Sequence, residues 1–110
     1  MIAEIQPHIE EIKKLCRKYH FSKLWVFGSV LTSEFRTDSD IDILYELDHS
    51  MLPGLTSINY FFAFKDQAEK LLRHPVDLVW YPGLRNPYFK EEVDETKILI
   101  YDAEAEKVSV

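Results

Sequence analysis

Apolar residues return every three or four positions along the first segment of the chain: Ile5, Ile9, Ile12 and the pair Leu15-Cys16, with Glu10, Glu11, Lys13 and Lys14 between them. That is the helical period, so the segment reads as an amphipathic helix, with Pro7 in a first turn where its missing N–H costs nothing. "KLWVF" is rich in β-formers and ends at Gly28, which predicts a strand, and "VLTSEFRTDS" follows as a polar turn or short helical connection. "DIDILYEL" alternates, with Ile41, Ile43, Tyr45 and Leu47 on one face and Asp40, Asp42 and Leu44 on the other, which predicts a second strand. "DHSMLPG" reads as a turn. In "TSINYFFAFKDQAEKLLR" the residues Ile58, Phe61, Phe62, Ala68, Leu71 and Leu72 fall at helical spacing, with Thr56 or Ser57 as the N-cap. "PVDLVWY" predicts a third strand beginning after Pro75, "NPYFKEEVDE" a short helix with Pro87 in its first turn, and "KILIYD" a fourth strand, after which "AEAEKVSV" trails off.

The order α-β-β-α-β-α-β predicts an α/β (α+β) fold, a mixed β-sheet of about four strands packed on helices. A chain of 110 residues carries one core, so one domain is expected over 1–110, with no repeat and no linker. Its 46% apolar and 14% aromatic content, with only three glycines, belongs to an ordered globular chain. A net charge of −6 and a pI near 5.1 argue against a broad basic surface that tracks a nucleic-acid backbone. No apolar run approaches the roughly 20 residues needed to span a bilayer, and "MIAEIQPHIEEIKK" lacks the basic-then-apolar order of a signal peptide. A cytoplasmic, reducing location is therefore expected. The lone cysteine, Cys16, reads as a core thiol.

The chemistry lies where the alternation brings charge into a strand. Asp40 and Asp42 project from the same face about 6–7 Å apart along the backbone, and carboxylates that close repel unless a proton or a cation lies between them. Mg²⁺ is the expected resident, since it takes one or two carboxylates, waters and phosphate oxygens. Asp77 interrupts the otherwise apolar "PVDLVWY", where a lone ionised group would be costly to bury. If its strand lies beside the second, three aspartates meet and can hold two metal ions for an in-line displacement at phosphorus. Gly28 at a strand end lets the backbone approach a phosphate, and the neighbouring N–H groups and the Ser29 hydroxyl can bind its oxygens.

Gly28-Ser29, ten intervening residues, then Asp40-Ile41-Asp42, with Asp77 on a later strand, resembles the G-S-x10-D-x-D signature of the DNA polymerase β-like nucleotidyltransferase superfamily. Element order, length and the ending "NPYFKEEVDETKILIYD" are similar to those of the minimal nucleotidyltransferases, the MntA-like antitoxins encoded beside HEPN-domain toxins. The resemblance implies that Gly28 and Ser29 hold the nucleotide triphosphate, that Asp40 and Asp42 ligate both Mg²⁺ ions, and that Asp77 completes the metal site and helps activate the acceptor hydroxyl. It implies transfer of AMP from ATP to a tyrosine of a partner HEPN toxin, with ATP as substrate, while the charge and hydropathy above lead us to expect no direct contact with nucleic acid or membrane. The chain departs from the pattern where many relatives carry an alanine-arginine-glycine run. Here "VLTSEF" stands, and Arg36, the first basic residue of the connection, is the candidate partner for the phosphates, followed by Lys65 and Arg73. A binding module that neutralises its partner by contact alone, and a nucleotidyltransferase acting on a small molecule, are the alternatives.

Other polar and aromatic residues read more plainly. Asp38 is expected to cap the turn before Asp40. His8, His20, His49 and His74 lie in separate segments without metal-ligand spacing and read as surface or satisfied residues. Of the run Tyr60, Phe61, Phe62 and Phe64, core packing is expected to take Phe61 and Phe62, leaving Tyr60 or Phe64 to meet a partner chain.

Overall fold

The computed structural model describes residues 3–48 and 55–108. A 3₁₀ turn, Gln6–His8, leads into α1 (Ile9–Lys18) and β1 (Phe21–Phe27), and a second 3₁₀ turn, Gly28–Leu31, opens the connection to β2 (Ile41–Leu47). Then come α2 (Leu55–Leu72), β3 (Val76–Trp80), α3 (Pro87–Thr96), β4 (Ile98–Asp102) and α4 (Ala103–Val108). The helix α4 replaces the frayed tail expected after β4: Asp102 Oδ1 accepts from the Glu104 N–H at 2.9 Å, and Glu106 reaches Lys13 and Arg17 of α1. At the other end of the chain order, α2 already includes Thr56 and Ser57, so neither is the cap; the position before Leu55 and the "DHSMLPG" turn from His49 onward lie outside the described residues.

The four strands form one sheet in the order β3-β2-β1-β4, with β1 antiparallel to both β2 and β4, and β2 parallel to β3. The mixed sheet packed on helices is thus the observed architecture. Its alternation sorts the apolar residues onto two faces. Val26, Ile41, Ile43, Val76 and Leu78 look onto α1 and α2, where Ile12, Cys16, Phe64, Ala68 and Leu72 complete the main core. Trp25, Phe27 and Leu44 look the other way, onto Val93 of α3.

The aromatic run on α2 sorts differently from expectation. Phe64 is fully buried, stacked on Phe21 at 4.2 Å between ring centroids, whereas Phe62 is 61% exposed and Phe61 only partly covered. Phe64, Ala68 and Leu72 follow one another at four-residue steps and make the buried stripe; Phe62 is rotated away from it. Cys16 is a core thiol, as its place on the helix face implies, and burial pushes its pKa far up.

Candidate active site

The end of β1, the start of β2 and the start of β3 bring the predicted residues together. In the parallel β2–β3 pair, Asp42 is the register partner of Asp77, and in the antiparallel β1–β2 pair it is the partner of Phe27. Phe27, Asp42 and Asp77 therefore form a row across one face of the sheet, each about 4.8 Å from the next strand. Asp40, one residue before β2, faces the same way by alternation. Asp77 itself is exposed, so it bears no burial cost: β3 is an edge strand whose Val76 and Leu78 face the core while Asp77 points to the open face.

The approach to β2 is latched to the approach to β3. The Ile41 N–H donates to the Pro75 carbonyl at 2.8 Å, and His74 Nδ1 lies 3.0 Å from the Ser39 carbonyl, which can only accept, so the proton is on Nδ1. Asp40 sits between these two ties. The turn before it is closed by the Ser39 hydroxyl, which accepts from the Arg36 N–H at 3.0 Å, rather than by the exposed Asp38. His74 thus proves to be a satisfied residue with a positioning role. Its signal could not be read from the sequence, because its partner is 35 residues away.

Gly28 adopts φ +77° directly beneath Asp42: an ideal Cβ placed on it would overlap the Asp42 carboxylate. The following N–H, that of Ser29, donates to that carboxylate. The Ser29 carbonyl accepts from both the Thr32 N–H and the Thr32 hydroxyl, each at 2.9 Å. The turn expected to cradle a phosphate thus lies against Asp42, with the Ser29 N–H towards its carboxylate. The Asp42 carboxyl is raised above the usual range, first by burial, then by the charges of Asp77 and Asp40, against the lowering effect of the Ser29 N–H.

A cleft of about 590 Å³ opens beside this point. The end of β1 and its turn supply Phe27, Gly28, Leu31 and Thr32, β2 supplies Asp42, and α3 with the start of β4 supplies Phe89, Glu92, Val93, Thr96 and Ile98. Sequence reasoning missed the α3 side of this cleft. Asn86, whose side chain accepts from the Tyr88 and Phe89 N–H groups, fixes where α3 starts and thereby which residues turn inward. None of the three basic candidates lines the cleft. Arg36 is exposed in the connection, Lys65 pairs with Glu69 at 2.9 Å on the opposite side of the sheet, and Arg73 carries the chain reversal after α2 at φ +58°. Among the described residues no group of three or more histidine, cysteine or acidic side chains is closed into a metal-ligating set, and no helix is long and apolar enough to cross a membrane.

The profile of the family described as "Polymerase beta, Nucleotidyltransferase" matches residues 10–106. The chain is 31% identical over 100 residues to the candidate protein adenylyltransferase MJ1379 of Methanocaldococcus jannaschii, covering 90% of this chain and 97% of that one. It is 32% identical over 83 residues to the protein adenylyltransferase MntA of Thermococcus cleftensis, covering 76% of this chain and 79% of the relative. Among solved structures, a candidate minimal nucleotidyltransferase superposes with a TM-score of 0.69 at 30% identity, over 86% of this chain and 90% of its own. A toxin–antitoxin complex with AMP-PNP shares the fold, with a TM-score of 0.62 at 20% identity over 89% of this chain and 76% of its own. The chain belongs to the polymerase beta nucleotidyltransferase family and has the fold of the minimal nucleotidyltransferases.

Proposed function

We propose that this protein is an Mg²⁺-dependent minimal nucleotidyltransferase, folded as one domain, that transfers AMP from ATP to a tyrosine hydroxyl of a partner HEPN-type toxin and so acts as its antitoxin. The observation that carries the reading is the registered pair Asp42 and Asp77 above a glycine that leaves room for the Asp42 carboxylate. Relatives named as protein adenylyltransferases and the shared fold of toxin–antitoxin complexes support the partner class. Asp40, Asp42 and Asp77 would hold Mg²⁺, and the donor set fits: three carboxylates on one face of the sheet, one of them half-buried, are a hard-oxygen site of the kind Mg²⁺ takes. When bound, the ion neutralises the charge that gathers on the phosphate oxygens.

The chain's own groups do the rest. The Ser29 N–H holds the Asp42 carboxylate in place, and the Ser29 hydroxyl and Arg36 bind phosphate oxygens. Asp77, exposed on the edge strand, accepts the proton of the incoming hydroxyl. A bond then forms from that oxygen to the α-phosphorus as the bond to pyrophosphate breaks, so catalysis is positioning and charge neutralisation. The test is incubation with a purified HEPN-domain protein, Mg²⁺ and each of the four NTPs, read by intact-mass spectrometry. AMP-sized increments on the partner, absent with Asp42→Asn, are expected; a stable complex with no increment from any nucleotide would instead identify a contact-only neutraliser.

A further inference from the structure

Asp40 and Asp42 are not held alike. Asp42 lies inside the sheet, paired with Phe27 on one side and Asp77 on the other. Asp40 stands one residue before β2, exposed and outside the ladder, so strand pairing does not fix its carboxylate. Its place comes from the ties on either side of it: the Ile41 N–H donates to the Pro75 carbonyl at 2.8 Å, and the Ser39 carbonyl accepts from His74 Nδ1–H at 3.0 Å. Across residues 32–40 only Phe35 and Ser39 are half-buried, and both meet His74, the Phe35 ring with its centroid 4.9 Å from that of the imidazole. The turn between them is one rigid piece, because the Arg36 carbonyl accepts from the Ser39 N–H and the Arg36 N–H donates to the Ser39 hydroxyl, each at 3.0 Å.

His74 is itself held from the β3 side. Before it, Arg73 takes a left-handed φ of +58°, a conformation that a non-glycine residue keeps only where its surroundings over-determine it. After it, Pro75 has a fixed φ and restricts His74 to extended backbone. Then the Val76 N–H is anchored on Glu69 Oε2 at 2.8 Å. These successive restrictions narrow the directions the imidazole can take, and aim it at the carbonyl next to Asp40. Resting on the transferase reading above, we infer that His74 is a positioning residue for metal binding: its Nδ1–H, through the Ser39 carbonyl, sets the Asp40 carboxylate against Asp77 at the entry to β2 and β3. Asp42, fixed by the ladder, is independent of it.

The test is Mn²⁺ binding to the full chain, read from the electron paramagnetic resonance signal of the free ion, since Mn²⁺ takes the same hard-oxygen ligands as Mg²⁺. His74→Gln, whose amide reaches the place of Nε2, is expected to weaken binding about tenfold, the lower end of what losing a ligand-orienting partner costs. His74→Asn, whose amide N–H stands where Nδ1–H does, is expected to bind within about threefold of the wild type. In an Asp40→Asn chain, His74→Gln is expected to add no further loss, because the carboxylate it positions is already gone. His74 is half-exposed, so both amides are expected to fold, and melting curves check it. Wild-type affinity in His74→Gln, an Asn variant as weak as the Gln variant, or an equal further loss on top of Asp40→Asn would each overturn this inference and spare the transferase. A His74→Gln chain that does not fold would overturn it too, by making the tie a structural one. A wild-type chain that binds no Mn²⁺ would overturn the metal site and this inference with it.

Discussion

The carboxylate of Asp42 fills the volume in which any residue other than glycine at position 28 would carry its Cβ. Because Gly28 also holds φ +77°, Gly28→Ala meets two penalties at once. The left-handed backbone costs about 1–2 kcal/mol for an L side chain, and the methyl group pushes Asp42 away from Asp77. The expected result is a lower melting temperature and a loss of AMP transfer of about a hundredfold or more, the scale of a misplacement near 1 Å. A melting curve and a single-turnover transfer assay on one preparation check both halves.

Asp42→Asn should behave in the opposite way on stability. Burial and the charges of Asp77 and Asp40 all oppose ionisation of Asp42, so neutralising it removes strain from the metal-free chain. Transfer is expected to vanish while the denaturation midpoint stays level or rises. A variant that unfolds more readily than the wild type would contradict this account of the carboxylates.

Glu69 anchors the strand that carries Asp77. Its Oε2 accepts from the Val76 N–H at 2.8 Å and from Lys65 Nζ at 2.9 Å. Glu69→Ala is expected to cost about 1 kcal/mol and to slow transfer through Asp77 without changing ATP affinity. The Lys65 hydrogen bond, then the Val76 N–H, hold the Glu69 carboxyl below its ordinary range. A depressed carboxyl contributes stability that is whole above the unfolded value of about 4.3 and is lost as pH falls below it. The difference between wild type and Glu69→Ala should therefore shrink under acid, as urea midpoints across that range would record.

Asp94 holds α3, and with it the wall of the cleft. It accepts from the Tyr81 hydroxyl at 2.7 Å and from Lys90 and Lys97, each at 2.8 Å, while Lys97 Nζ lies 5.7 Å over the Trp25 ring. Lys90, then Lys97 and Tyr81, hold the Asp94 carboxyl far below its ordinary range. Its stabilising effect is accordingly complete above about pH 4 and fades only below it. Asp94→Asn is expected to lower the melting temperature by a few degrees at neutral pH and to raise hydrogen exchange in α3 more than in α1.

Phe64 and Phe62 separate by position on the helix, not by chemistry. Phe64→Ala removes a buried ring stacked on Phe21 and should cost about 3–5 kcal/mol. Phe62→Ser, at an exposed site, should change stability by no more than about 0.5 kcal/mol. Chemical denaturation of the two variants decides it.

The sequence by itself determined the elements and the candidate chemistry. Period-two alternation placed Asp40 and Asp42 on the face opposite Ile41 and Ile43, and the Gly28-Ser29 spacing carried the family resemblance, because both are local properties of the chain. Pro87 marked the start of α3 for the same reason. Tertiary structure alone decided which strand lies beside β2, and so the Asp42–Asp77 register, since a parallel pairing is made across a long connection that contains α2. It also decided which phenylalanine of α2 is buried, and that Phe89, Glu92 and Thr96 share a cleft with Asp42. Each of these depends on partners tens of residues away, and a residue's neighbours in space are fixed by how faces pack, a quantity that no window of the sequence contains.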